Sequence, residues 1–324
     1  MKFNSICSLF LAVFTIFCVM PAAAQAPYPN RPIKMLVGIP PGGAPDVAAR
    51  LVGQYLSEAL GEPVVIENRT GANGNIAAEA AAKARPDGYT LLLSADSGIV
   101  INPHVYTKMS FDPRKDLVPI TSVATNQFIL AVNPKVPAQT LPEFIDYARK
   151  ANPTLAFASG GPGSQHYFAM QIFKQRAGIE FLSVTYRGGT PSMLATVAGE
   201  TQVLFAGGES AGQFKGGTLR GLAVSGKQRS KRFPNLPTIG EFYPGYEVDI
   251  WLGLFAPAGT PEPIVAKLRK DVQALLARPE VAEKLNVSGS LEPLILAPEE
   301  FSALIRKDDD KFGRLVKEFN IKID

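Results

Sequence analysis

The sequence predicts an α/β protein of two lobes, each a mainly parallel sheet flanked by helices. Three observations carry this. Short apolar runs alternate with Gly/Pro loops and amphipathic stretches, and the alternation occurs twice in the same order. The chain of 324 residues is also about twice the length of a ~150-residue domain.

Residues 33–39 (IKMLVGI) form the first apolar run, the pattern of a buried strand. Pro40, Pro41, Gly42, Gly43 and Pro45 then interrupt the chain. Val47, Leu51, Tyr55 and Ala59 recur at every fourth position beside Val52, Leu56 and Leu60, so a helix follows and Gly61 stops it. Residues 64–67 (VVIE) read as the second strand, 68–75 as its loop and the Ala-rich 76–84 as a helix. Arg85-Pro86-Asp87-Gly88 turns the chain into 89–94 (YTLLLS), a third strand. A βαβαβ order calls for a parallel sheet with right-handed crossovers.

The order then repeats. Residues 155–158 lead into Ser159-Gly160-Gly161-Pro162-Gly163-Ser164 and a helix ending at Gly178. Residues 181–186 read as a strand, Arg187-Gly188-Gly189-Thr190-Pro191 as a loop, 192–198 as a helix and 202–206 as a strand. Asp46 aligns with Ser164, and Arg69 with Arg187, at one offset of 118 positions (164 − 46 and 187 − 69). Residues 120–132 carry the chain into the second half and 249–256 carry it back. The helical tail, 263–276 and 298–319, must bury its apolar stripes on the first half. The expected division is 27–122 with 252–324 in lobe 1, and 123–251 in lobe 2. Two crossings make a hinge, as in proteins that close around a solute.

In each half the loops after the strands gather at one carboxyl edge, where open α/β sheets bind ligands. Each loop also opens a helix, whose free N–H groups and positive dipole end attract anions. Asp46 and Ser164 read as helix N-caps. The Ser164 hydroxyl and adjacent N–H groups would bind a carboxylate oxygen, while Asp46 would orient water or its own loop. His166 lies in the first turn of its helix, and the guanidinium of Arg187 suits a carboxylate. Arg69, Asp96 and Ser97 are weaker candidates.

Composition removes other classes. A net charge of +4, without a basic run, is too small for an electrostatic nucleic-acid binder. Metal ligands are scarce: the two histidines, His104 and His166, are far apart, and both cysteines, Cys7 and Cys18, fall in the first 24 residues. No cofactor is expected, since the loop at 40–46 has neither the phosphate-loop ending nor the dinucleotide spacing. Asp308-Asp309-Asp310 reads as a solvated helix face. Gly208-Glu209-Ser210-Ala211-Gly212 matches the nucleophile elbow of serine hydrolases, but that triad needs a later histidine and both histidines come earlier. Lys2, the apolar stretch 6–20 and Pro21-Ala22-Ala23-Ala24 form a secretory signal, with cleavage expected after Ala24 and a periplasmic destination.

The chain resembles, from end to end, the Bug-type receptors of tripartite tricarboxylate transporters. The matching stretches are YPNRPIKMLVGIPPGGAPD, IENRTGANGNIAA, RPDGYTLLLS, the FASGGPGSQH loop, YRGGTPSM, RFPNLPTIGEFYPGYE, WLGLFAPAGTP and the tail PEEFSALIRKD. The resemblance implies a two-lobed, Venus-flytrap-like fold without catalysis. It implies a monomer that holds a small mono-, di- or tricarboxylate and serves membrane permease subunits. A ligand-loaded partner of a membrane sensor is the alternative role. Binding loops of the family map onto Gly42, Gly43, Ala44 and Asp46; onto Ser159, Gly163, Ser164 and His166; and onto Gly188, Gly189 and Thr190, with Arg187 and Gly207 beside them. Two departures stand out. The Ser164-to-His166 spacing is one residue shorter than the family's Ser/Thr-x-x-His. Ala206-Gly207-Gly208 stands where many relatives carry an acid, which favours a plain or aromatic carboxylate over one with an ammonium group.

Overall fold

The computed structural model describes residues 28–186 and 188–323, except for the side chain of Glu209. The signal stretch, both cysteines and Arg187 lie outside the described residues.

The first half opens with β1 (Ile33–Val37), α1 (Ala44–Leu60), β2 (Val64–Asn68), α2 (Asn75–Ala82) and β3 (Thr90–Ala95). Gly61 ends α1 at φ 72°, a left-handed cap that only glycine takes without strain. Two short helices, α3 (Asn102–Val105) and α4 (Pro113–Asp116), lead into β4 (Leu117–Gln127). The second half runs β5 (Ile129–Val132), α5 (Leu141–Lys150), β6 (Ala156–Ser159), α6 (Gln165–Ala177), β7 (Leu182–Thr185), α7 (Gly189–Ala198), β8 (Val203–Ala206), α8 (Ala211–Lys215) and β9 (Arg220–Val224). The chain returns through β10 (Asp249–Pro257) to α9 (Glu262–Leu276), α10 (Pro279–Gly289), β11 (Glu292–Pro293) and α11 (Pro298–Glu318). Helix α10, which buries Val281 and Leu285, is absent from the sequence reading.

The sheets are ordered β11-β4-β10-β3-β1-β2 and β7-β6-β8-β5-β9. Strand β1 pairs in parallel with β2 and β3, and β6 does the same with β7 and β8. The triplets β2-β1-β3 and β7-β6-β8 therefore share one topology, as the repeat implies. Both sheets are nevertheless mixed. β10 lies antiparallel on β3, and β5 antiparallel on β8. The stretches read as linkers are thus strands, because their apolar runs are long enough to be buried inside a sheet.

The offset needs correcting at the helix starts. α1 begins at Ala44 and α6 at Gln165, a separation of 121 positions (165 − 44). Gly43, not Asp46, occupies the cap of α1, and it makes no side-chain bond there. Asp46 is the third helical residue. Ser164 does cap α6, its oxygen accepting from the Tyr167 N–H at 3.3 Å.

The chain changes sheet at Phe128 and again between Val224 and Asp249. Ser225 ties the crossings together. Its hydroxyl accepts from Phe128 N (2.8 Å) and donates to Val248 O (2.6 Å), and its backbone bonds both residues as well. Away from this ladder the halves meet at a seam of side chains. Phe168 of α6 is wholly buried with its ring 5.4 Å from Phe312 of α11, edge to face. Arg232 donates to Asn286 O (2.6 Å) and Ser290 Oγ (2.6 Å) at the end of α10. Truncating the aromatic part of the seam should be costly. Phe168→Ala is expected to remove about 3–5 kcal/mol of unfolding free energy, measured by urea denaturation followed through the single tryptophan, Trp251. A loss below about 1 kcal/mol, within the usual spread for surface changes, would show that Phe168 is not a core residue.

Candidate functional site

A cavity of about 410 Å3 lies between the two sheets. Loops following all six parallel strands reach it. Gly43 and Ala44 come from the loop after β1, Asn73 from that after β2 and Ser97 from that after β3. Gly160 and Ser164 follow β6, Gly188 to Pro191 follow β7, and Gly207 follows β8. The crossing strands supply the floor through Asn126, Phe128, Ile250 and Leu252. This follows from topology, since parallel strands deliver their carboxyl ends to one edge and the two edges face each other.

Three helices start at this wall. Among the described residues, the N–H groups of Gln165 and His166 on α6, and of Gly189 and Thr190 on α7, have no backbone acceptor, the ordinary state of a helix's first turn. Gly188 caps α7 at φ 104°, a conformation that disfavours any side chain. Neither α6 nor α7 carries an acid in its first turn. The start of α1 differs because Asp46 occupies it.

Of the residues singled out in the sequence, Gly43, Ala44, Ser97, Ser164, His166, Gly188, Gly189, Thr190 and Gly207 line the cavity. Gly42, Asp46, Ser159 and Gly163 sit behind it and hold its loops. Asp46 is buried and accepts from Gly42 N (2.9 Å), Arg50 Nε (2.9 Å) and Asn68 Nδ2 (2.8 Å). Burial pushes its pKa up, but these donors, Arg50 foremost, outweigh that and hold it below the usual carboxylate range. Ser159 Oγ accepts from Gly161 N (3.2 Å). Gly163 O accepts from Asn73 Nδ2 (2.8 Å), a hydrogen bond from one lobe to the other. Arg69 is paired with Glu67. Ser164 is at the wall, yet its hydroxyl donates to Gly161 O (2.7 Å) and so serves its own loop.

Gln165, absent from the sequence reading, is the first residue of α6 and lines the cavity. It is 6% exposed, and its amide nitrogen has no acceptor among the described residues. The signal was its place directly after an N-cap serine. Asn73, Asn126 and Phe128 were missed as well, because tertiary folding rather than local spacing brings them here.

His166 packs against Phe128 with ring centroids 4.4 Å apart and the ring planes tilted by 40°. Although its ring keeps some surface toward the cavity, burial lowers its pKa to about 4, so it is neutral at pH 7. Behind Ser97, the carboxyl of Asp96 is fully buried. Burial, reinforced by the nearby Asp308, raises its pKa well above the usual range. The acidic run on α11 is not simply a solvated face. Asp308 accepts from Trp251 Nε1 (2.8 Å), and Asp309 pairs with His104 Nε2 (2.8 Å). Ser210 is buried with an unpartnered hydroxyl, and neither histidine bonds to it, so nothing activates it as a nucleophile.

A cleft walled by helix starts and, among the described residues, by uncharged side chains, between lobes joined by two crossings, is the architecture of a solute-binding protein. The chain belongs to the tripartite tricarboxylate transporter family of receptors, whose family model matches residues 48–321. It is 33% identical to protein BugT of Bordetella pertussis over 324 aligned positions, covering 97% of this chain and 98% of BugT. Among solved structures it resembles the periplasmic binding protein BugD, with 30% identity, a TM-score of 0.83 and coverage of 91% of this chain and 100% of BugD. It also resembles the R. palustris protein Rpa4515 with adipate, with 31% identity, a TM-score of 0.86 and coverage of 91% and 100%. No helix among the described residues is long and apolar enough to cross a membrane.

The neutral state of His166 makes stability depend on pH. An unfolded histidine titrates near 6.5, so between about pH 6.5 and 4 the unfolded chain binds more protons at this position than the folded one. Its contribution is therefore intact above pH 6.5 and lost as pH falls through that window. Relative to His166→Gln, the wild type should lose stability from pH 6.5 downward and show a flat difference above pH 7. Paired denaturant melts measure this, and a difference independent of pH would mean the ring titrates normally.

Proposed function

We propose that this protein is a periplasmic receptor that closes over a small carboxylate and delivers it to the membrane permease subunits of a tripartite tricarboxylate transporter. The observation that carries the reading is the convergence of the α6 and α7 starts, faced by the Gly43-Ala44 turn of the other lobe, on one cavity between the sheets. Each helix start carries about half a positive charge and presents N–H donors fixed by the fold. A carboxylate offers the matching charge and acceptors, and charge-assisted bonds to it are about twice as strong as neutral ones. Likeness to an adipate-bound protein supports the same chemistry. We place the lobe limits at the sheet crossings, Phe128 and the segment between Val224 and Asp249, and take the cavity-lining residues rather than Asp46 or Ser159 as the ligand contacts. The basic-then-apolar N-terminal stretch supports export by a cleavable signal, and the working unit is a monomer.

Opening about the Ser225 ladder admits the solute. Closure then brings Asn73 onto Gly163 and Arg232 onto α10, excluding water from the bonds that hold the guest. A thermal-shift screen of mono-, di- and tricarboxylates should find a stabilising ligand. At 100 times its Kd that ligand would add about 2.7 kcal/mol of stability. Ser164→Asp keeps a residue able to cap α6 but sets a like charge at the carboxylate, so it should fold normally and lose binding. A folded variant with undiminished affinity would refute the placement. Uptake of labelled ligand should fall when the protein is deleted and permease levels are kept constant. Unchanged uptake would refute the transport role.

A further inference from the structure

The cavity is polarised between its two lobes. On the second lobe the wall carries the open N–H groups of α6 and α7 and the unspent amide of Gln165, with no acid in either first turn. The facing wall on the first lobe has little to give an anion. Pro40, Pro41 and Pro45 have no N–H, and Gly42 N is committed to the Asp46 carboxylate at the start of α1. Both amide hydrogens of Asn73 are spent, on Asn102 Oδ1 (2.8 Å) and Gly163 O (2.8 Å). The Ser97 N–H is taken by Asp96. What remains there, besides the N–H groups of Gly43 and Ala44, the Ser97 hydroxyl and the side-chain amide of Asn126, whose Oδ1 is taken by Gln127 N, is largely apolar: Ile39, the prolines and Ala95, continued by Ile250 and Leu252 of β10.

We infer that the guest carries a single carboxylate, seated against α6, α7 and Gln165, and an apolar body that fills the first-lobe side. A second carboxylate would face proline rings and a helix start already occupied by Asp46, and the few scattered donors there would offset only part of its lost hydration. The enclosed volume of about 410 Å3 suits a compact aliphatic or aromatic acid. The inference rests on the receptor reading above and names its substrate class and the donor that recognises the acid group.

Titration calorimetry of the full mature protein with benzoate, hexanoate, adipate and citrate separates the two readings. Benzoate or hexanoate should bind at least 30-fold more tightly than adipate or citrate. If adipate or citrate binds as tightly, the monocarboxylate inference is overturned while the receptor reading stands. If none of the four binds while the thermal-shift screen finds a di- or tricarboxylate, the monocarboxylate inference alone is overturned; if neither experiment finds a carboxylate ligand, both fall. Gln165→Leu should weaken the monocarboxylate 10- to 100-fold without lowering the ligand-free melting temperature. Gln165→Glu, nearly isosteric but negative, should abolish binding. Unchanged affinity in both variants, each folded by its melting curve, would overturn the seating on the second lobe.

Discussion

Backbone N–H groups without acceptors are the constraint from which this architecture follows. Elsewhere in a folded chain, such groups are paired by secondary structure, caps or water. At the starts of α6 and α7 they are turned into an enclosed space instead, where pairing must come from a guest or from trapped water. Every supporting feature serves to hold them there. The parallel triplets β2-β1-β3 and β7-β6-β8 bring the helix starts to facing edges. Gly188 gives α7 a cap that carries no side chain into the space. Asp46 locks its loop through Gly42, Arg50 and Asn68. Because these dipoles are set by the fold, they need no reorientation when an anion arrives.

Neutrality of the wall complements this. Charged side chains near the site are consumed in pairs that face away from it, Asp46 with Arg50 and Glu67 with Arg69. His166 is kept uncharged by burial against Phe128. Among the described residues that line the cavity none carries a charged side chain, which makes it cheap to leave empty, since none of them is a buried ion waiting for a partner. It also discriminates by shape and by the positions of donors. This gives the apolar walls from Ile39, Ile250 and Leu252 as much say over the guest as the polar ones.

The parallel triplets, most helix limits and nine of the cavity-lining residues were legible in the sequence, since strand-loop-helix rhythm and glycine stops are local properties. What escaped was non-local. Residues 120–132 and 249–256 read as connections because their apolar runs show burial without showing partners. Only the fold reveals that β4 and β10 pair along their length. Asp46 looked like a cap because acids favour helix starts. Its true place, three residues inside α1, depends on where the Pro-Gly loop lets the helix begin. Asn73, Asn126 and Phe128 carry no local signature of binding, as each reaches the cavity only once two lobes are folded against each other. Gln165 was hidden by the more familiar residues on either side of it, Ser164 and His166.

Helix α6 belongs to both halves of the mechanism. Its first residue, Gln165, stands at the cavity wall, while Phe168, less than one turn on, is packed among residues of the first-lobe core around Phe312. A rigid helix cannot withdraw one without the other. In the receptor proposed above, opening the cleft would pull an aromatic ring out of a packed core, and closing it would return that ring as the donors reach the guest. Closure would then draw its driving force from apolar burial at the seam, which any solute would share. Selectivity stays with the donors and walls of the cavity. This division lets a receptor grip its guest firmly without requiring that the guest itself supply most of the closing energy.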